Sequence, residues 1–221
     1  MKLIVTIPAY NEEKAIGAVV RSVPRKIAGV DRVEILVVND GSIDNTVGEG
    51  RKGGAEHIIS NKKNLGLAKT FKKAIETALD LGADIIVNTD ADNQYDQTEI
   101  PKLLKPILEG KADMVIGDRQ VKKLDHMPPS KKYGNIIGSW AIRFLTGTTV
   151  RDASSGFRAF TREAAQSFNL LSTHTYTHET IIQAVNQDLA IAQVPITFKK
   201  RKHGQSRLIS GVIPHIRRSL A

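Results

Sequence analysis

Three nearly continuous apolar runs govern what this chain can fold into, because each stops abruptly in a polar cluster. Lys2 to Ile7 runs into Pro8-Ala9-Tyr10-Asn11-Glu12, and Val33 to Val38 into Asn39-Asp40-Gly41-Ser42. Asp84 to Thr89 runs into Asp90-Ala91-Asp92-Asn93-Gln94. Runs with so little polar alternation suit strands buried on both faces, the habit of parallel sheets. Segments with helical spacing lie between them. The clearest is Leu65 to Leu81, which sets Leu67, Phe71, Ala74, Ile75, Ala78 and Leu79 on one face and meets Gly82 at its end. This alternation predicts an α/β fold with a largely parallel sheet, in which ligands bind beyond the strands' carboxyl ends. The three polar clusters are therefore expected along one sheet edge.

The rest of the chain continues the pattern. Asn11 is expected to cap a helix carrying Glu12 and Glu13 in its first turn, and Asp44 to cap a short segment reaching Gly54. His57 to Ser60 reads as a short strand, Thr98 to Leu108 as a helix and Asp113 to Gly117 as a strand. Gln120 to Lys132 is basic and contains proline, and is expected to be a mobile connection. Helices are expected at Ile136 to Leu145, Ala164 to Phe168 and Glu179 to Gln187, and a last strand at Ala190 to Phe198. The organisation expected is one catalytic domain over residues 1–198 and a basic tail over 199–221.

Asp90 and Asp92 are spaced i, i+2, so an extended chain points both carboxylates to the same side. Two anions at the end of a buried strand repel each other and need a compensating cation. An oxygen-rich pair suits a hard divalent ion such as Mg²⁺ or Mn²⁺. A solvated turn explains these residues equally well when they are taken alone, since Asp and Asn are turn formers.

Several chemistries are disfavoured. There are no cysteines, which removes disulfides and Cys-based zinc sites. Neither a G-x-G-x-x-G after the first strand nor a G-x-x-x-x-G-K-[ST] is present, against dinucleotide and P-loop folds. His174 and His178 have the spacing of a helical metal pair but lack an evident third ligand. No uncharged apolar run is long enough to cross a membrane, and the N-terminal run is wrongly flanked for a signal peptide. The formal charge of +9 is concentrated at the end, because seven of the 32 basic residues follow Asp188, the last acid. A basic tail predicts an anionic partner. With 5% aromatic residues there are few stacking platforms, so nucleic acid is not expected.

Four motifs together resemble family 2 glycosyltransferases of the GT-A fold. They are Ile7-Pro8-Ala9-Tyr10-Asn11-Glu12-Glu13, Val37-Val38-Asn39-Asp40-Gly41-Ser42-Ile43-Asp44-Asn45-Thr46, Asn64-Leu65-Gly66-Leu67 and Asp90-Ala91-Asp92-Asn93-Gln94. Asp152-Ala153-Ser154-Ser155-Gly156-Phe157-Arg158 and Arg201-Lys202-His203-Gly204-Gln205-Ser206-Arg207 resemble motifs of the dolichyl- and polyprenyl-phosphate sugar transferases. Arg207 departs from the lysine more usual there but keeps the charge. The Q-x-x-R-W motif of processive synthases is missing.

The resemblance implies a metal-dependent, inverting transfer of a sugar from a nucleotide diphosphate (GDP-mannose or a UDP-sugar) to a polyprenyl phosphate. Pro8, Tyr10, Glu12, Asp40, Ser42, Asp90, Ala91 and Arg119 would line the nucleotide-sugar site. Asp90, Asp92 and Gln94 would hold Mg²⁺ or Mn²⁺. Asp92, Asp152, Glu179 and Arg158 are the catalytic candidates. Arg158, Arg201 and Arg207 would attract the acceptor phosphate, helped by Lys131 and Lys132. In the tail, Leu208, Ile209, Val212, Ile213, Ile216 and Leu220 share a helical face, kinked by Pro214, that would rest on an anionic membrane surface. The expected location is cytoplasmic and peripheral. Two alternatives stand beside this. One is a soluble glycosyltransferase acting on a hydroxyl, which needs Asp152 or Glu179 as base; the other is a non-catalytic lipid-binding module.

Overall fold

The computed structural model describes residues 1–173 and 175–202. The first half alternates regularly: β1 (Lys2–Ala9), α1 (Ile16–Ser22), β2 (Arg32–Asn39), α2 (Thr46–Gly53), β3 (His57–Ser60), α3 (Leu67–Asp80) and β4 (Ile85–Asn88). It continues through α4 (Ile100–Leu108), β5 (Met114–Asp118) and α5 (Pro129–Thr146). The chain then forms β6 (Arg158–Thr161), α6 (Arg162–Ser167), α7 (Thr177–Asn186) and β7 (Ile191–Pro195). The seven strands make one sheet in the order β3-β2-β1-β4-β6-β5-β7.

Alternate residues of β1 supply two cores. Leu3, Val5 and Ile7 of β1 pack with Ile16, Val19 and Val20 of α1 and Leu103, Leu104 and Ile107 of α4. Ile4 faces the other way, into a layer with Phe71, Ala74, Ile75 and Ala78 of α3. The apolar positions predicted for α3 are thus the ones it buries. Gly82, at φ +80, ends it in the left-handed conformation that glycine adopts without a Cβ penalty.

Every strand pairing is parallel except those of β6, which lies antiparallel between β4 and β5. This inserted strand is absent from the sequence reading, and it matters for the site. Arg158, the first residue of β6, pairs with Asn88, the last of β4, so the loop leading into β6 lies at the carboxyl edge. β7 ends there too, with Pro195 opposite Asp118.

The expected local details differ at three places. β1 continues through Pro8 to Ala9, because the proline sits at the strand's end with Val38 as its partner. Asn11 does not cap α1, which starts at Ile16; it adopts φ +53 and accepts a bond from the amide of Ile43. The 120–132 connection contains a 3₁₀ turn at Val121–Lys123 and the first turn of α5.

Candidate active site

Loops from four strands converge at the carboxyl edge. The loops after β1 and β2 are laced by reciprocal bonds. The Asn11 amide donates to Ser42 Oγ at 2.9 Å, and the Glu12 amide to Thr46 Oγ1 at 2.9 Å. The Glu13 amide donates to Asp44 Oδ2 at 3.2 Å, while the Asn45 amide donates to Glu13 Oε2 at 3.1 Å. Ser42 therefore joins the two loops. Asp40, expected to hold the donor's base or ribose, is buried. It accepts from Asn61 Nδ2 at 2.9 Å and from the amides of Leu65 at 2.8 Å and Gly66 at 3.0 Å. Its placement makes it the anchor of the 61–66 loop, with Lys73 bonded to Asn61 behind it.

The acidic pair stands at the end of β4. Asn93 takes φ +60, a conformation Asn tolerates, and the Gln94 amide closes a turn onto Asp92 Oδ1 at 3.1 Å. Burial, and after it the negative charge of Asp92, raises the pKa of Asp90 to about 7. Burial also raises that of Asp92, against the pull of the Gln94 amide and Arg201. A pair that resists ionising this strongly is suited to a cation.

Arg201 supplies one. Its guanidinium donates to Asp92 Oδ2 at 3.2 Å and also pairs with Glu12 Oε1. The three side chains are only 18, 14 and 15% exposed, so these pairs are partly withdrawn from water. The segment that brings Arg201 is fastened to the acidic turn. Phe198 bridges to Tyr95, the Lys199 amide donates to the Gln94 carbonyl at 2.7 Å, and Lys199 Nζ reaches Asp96 Oδ2 at 2.8 Å. Gln94, expected as a metal ligand, donates its side-chain amide to the Lys199 carbonyl at 3.1 Å. Among the described residues, no three His, Asp or Glu side chains form a ready cage for a metal. Two carboxylates whose remaining positions are filled by phosphate oxygens and water are the pattern that Mg²⁺ and Mn²⁺ accept, so the donor set fits. Asp90 and Asp92 would hold the ion.

Four of the expected site residues, Arg158, Arg119, Asp152 and Glu179, are engaged within the protein. Arg158 is fully buried, and its guanidinium donates to the carbonyls of Ala153, Ser155 and Thr177 and to Thr180 Oγ1, all at 2.7 Å. Burial lowers its pKa to about 10, yet it remains a cation at neutral pH that braces the 153–155 loop against α7 rather than meeting an acceptor. Nor does it pair with Asp152.

Arg119 does. Its Nε and Nη2 each lie 2.7 Å from an Asp152 oxygen, and Nη2 reaches Ser154 Oγ at 2.8 Å. Burial would raise the pKa of Asp152, but Arg119 outweighs it and holds the carboxyl below its ordinary range. A carboxylate bound on both oxygens is a poor base, and Arg119 is correspondingly committed within the protein. Glu179 accepts the amides of Leu171 at 2.7 Å and Ser172 at 3.1 Å, which makes it an organiser of that loop. Arg207, His174 and the amphipathic face from Leu208 to Leu220 lie outside the described residues.

Sequence reasoning missed Tyr95, Asn88 and Tyr176. Tyr95 Oη accepts the Gly156 amide at 3.0 Å, and Asn88 Nδ2 donates to the Gly156 carbonyl and to Tyr176 Oη, both at 2.9 Å. Each reads as ordinary core in the sequence; the one available signal was an asparagine closing an otherwise apolar strand.

The profile described as "Glycosyl transferase family 2" matches residues 4–168. The chain is 35% identical to a dolichyl-phosphate hexose transferase of Haloferax volcanii, over 93% of this chain and 86% of that protein. It is 34% identical to a UDP-N-acetylglucosamine–dolichyl-phosphate N-acetylglucosaminyltransferase of Methanococcus voltae, over 91% of this chain and 87% of that one. Among solved structures, glucosyl-3-phosphoglycerate synthase of Mycobacterium tuberculosis, crystallised with Mn²⁺ and UDP-glucose, superposes with a TM-score of 0.71 at 24% identity. The match covers 92% of this chain and 72% of that one.

Proposed function

The chain belongs to glycosyltransferase family 2, with a GT-A fold, and from that premise we propose that it moves a sugar from a nucleoside diphosphate to a polyprenyl phosphate, using Mg²⁺ or Mn²⁺. The observation that carries this reading is the recessed Asp90–Asp92 pair at the carboxyl edge, met by Arg201. The bound ion would neutralise charge building on the leaving nucleoside diphosphate.

The chain's own residues do the rest. The laced loops around Pro8, Tyr10, Glu12 and Ser42, with the Asp40-anchored 61–66 loop, form the donor wall. Asp152 and Glu179, the two carboxylates that a hydroxyl acceptor would need as base, are both engaged elsewhere. That favours an acceptor which arrives already ionised. A phosphate monoester has a second pKa of about 6, so it needs attraction and positioning rather than deprotonation. Arg201 is placed to provide the attraction, and direct attack by phosphate gives inversion at the anomeric carbon.

A lipid acceptor also requires a membrane-facing surface, and α5 has the features of one. Tyr133, Ile137, Trp140 and Phe144 form an outward stripe, each between 58 and 76% exposed, with Lys131 and Lys132 at the helix start. Its inner side is tied to the site, since Ser139 Oγ accepts the Ala153 amide at 3.0 Å. Aromatic residues beside cations suit an anionic bilayer interface. No helix among the described residues is long and apolar enough to cross a membrane. Contact through α5 and the basic tail would place the protein on the cytoplasmic face. The tail over 199–221 would then be an extension of the 1–198 catalytic domain whose first residues close over the donor site.

The test is incubation with labelled UDP- and GDP-sugars, Mn²⁺ or Mg²⁺, and short polyprenyl phosphates. Label is expected in the organic phase only when lipid phosphate and metal are both present. Equal transfer without lipid phosphate would overturn the reading.

A further inference from the structure

Gly156 is buried beside the acidic pair. A Cβ added there would stand 2.9 Å from Asp90 Oδ1, 3.1 Å from Tyr176 Oη and 3.4 Å from Asp90 Oδ2. The first of these separations is shorter than carbon and oxygen tolerate without a shift. The Asp90 carboxylate thus occupies space that exists because residue 156 has no side chain.

The geometry also says which neighbour would give way. The backbone of Gly156 is clamped, its amide bound by Tyr95 Oη and its carbonyl by Asn88 Nδ2. The flanking residues are equally fixed. Phe157 stacks on Tyr95 at 5.2 Å, and the guanidinium of Arg158 is held by four bonds. Tyr176 lies flat on Phe71, with centroids 3.6 Å apart, and accepts from Asn88. The Asp90 side chain, with two torsions, is the softest of the atoms in contact.

We propose that Gly156 is a positioning residue for Asp90: its bare Cα, clamped between Asn88 and Tyr95, sets where that carboxylate can stand and thereby the affinity for the divalent ion. Both clamping residues belong to the same stretch as Asp90 and flank it in sequence. The loop before β6 and the end of β4 therefore act as one rigid gauge. This inference rests on the metal reading of Asp90 and Asp92.

The experiment measures Mn²⁺ binding by electron paramagnetic resonance, in the presence of UDP and in parallel of GDP, with metal-free melting curves alongside. Gly156→Ala is expected to weaken Mn²⁺ binding about 10- to 100-fold, the range found when groups supporting metal ligands are altered. Its metal-free melting temperature should stay near that of the parent, since the carboxylate moves and the backbone does not. Tyr176→Phe in the same chain removes the hydroxyl on the other side of the added methyl, and should recover part of the affinity. Parent-like Mn²⁺ binding by Gly156→Ala, with binding lost in Asp92→Ala, would overturn the proposal alone. Binding that survives Asp92→Ala would overturn the metal reading and this proposal with it. If Gly156→Ala does not fold, Tyr95→Phe loosens the same clamp with glycine retained; unchanged Mn²⁺ affinity there counts against the proposal.

Discussion

Arg201 and Asp92 are 109 positions apart in sequence and 3.2 Å apart at Nη1 and Oδ2. The same guanidinium holds Glu12, so one side chain from beyond the last strand ties together the loops after β1 and β4. A cation already sits against the carboxylate proposed to bind one.

Arg201→Gln should therefore strengthen Mn²⁺ binding in the absence of acceptor, because the ion no longer displaces a competing charge. A partly exposed ion pair is worth about 1 kcal/mol, or roughly fivefold. The same variant should lose transfer to lipid phosphate. Paramagnetic titration and a transfer assay measure the two effects separately, and weaker Mn²⁺ binding would contradict the competition.

The raised pKa of Asp90, about 7, sets a pH dependence. Between the unfolded carboxyl value of about 3.9 and 7, the folded protein keeps a proton that the unfolded chain has released. Stability of the metal-free protein should then fall as pH rises through that window and level off above it. Metal must displace the same proton, so Mn²⁺ affinity should climb from pH 5.5 to about 7 and then flatten, with proton uptake by weak buffers below pH 7. Affinity independent of pH across this range would refute the assignment.

Arg158 predicts a stability effect rather than a binding effect. Arg158→Ala removes the buried donor shared by three carbonyls and a hydroxyl and should cost about 3–5 kcal/mol in denaturant unfolding. Arg158→Lys should recover only part of this, since lysine lacks the planar fork. Its KM for lipid phosphate should match the parent's. A rise in that KM at unchanged stability would restore the phosphate-binding role.

The stripe on α5 predicts membrane attachment. Replacing Trp140 and Phe144 with serine should reduce sedimentation with anionic vesicles at least about tenfold, given roughly 1.5–3 kcal/mol for burying such a side chain. Activity on a short, water-soluble polyprenyl phosphate should survive the change. Equal loss on both acceptors would point to damage at the site instead.

Strand content was legible where several apolar residues run together, because nearly continuous runs such as Val33 to Val38, broken only by Glu34, have few other uses. β6 was not legible. It has four residues, begins with an arginine and takes its place only by pairing with β4 and β5. Charged residues misled for a related reason. Arg119, Arg158, Asp152 and Glu179 look alike as free polar groups in a sequence, and only their partners separate a brace from a reactive group.

The sequence by itself determined the α/β class, the sheet edge where the loops gather and the Asp90–Asp92 spacing, because periodicity and local geometry act over a few residues. Tertiary structure alone decided that Arg201 closes onto Asp92, that Arg119 takes Asp152 and that Gly156 leaves room for Asp90. Those relations join residues dozens of positions apart. Ion pairing and close packing depend on distances in space, which local pattern does not encode.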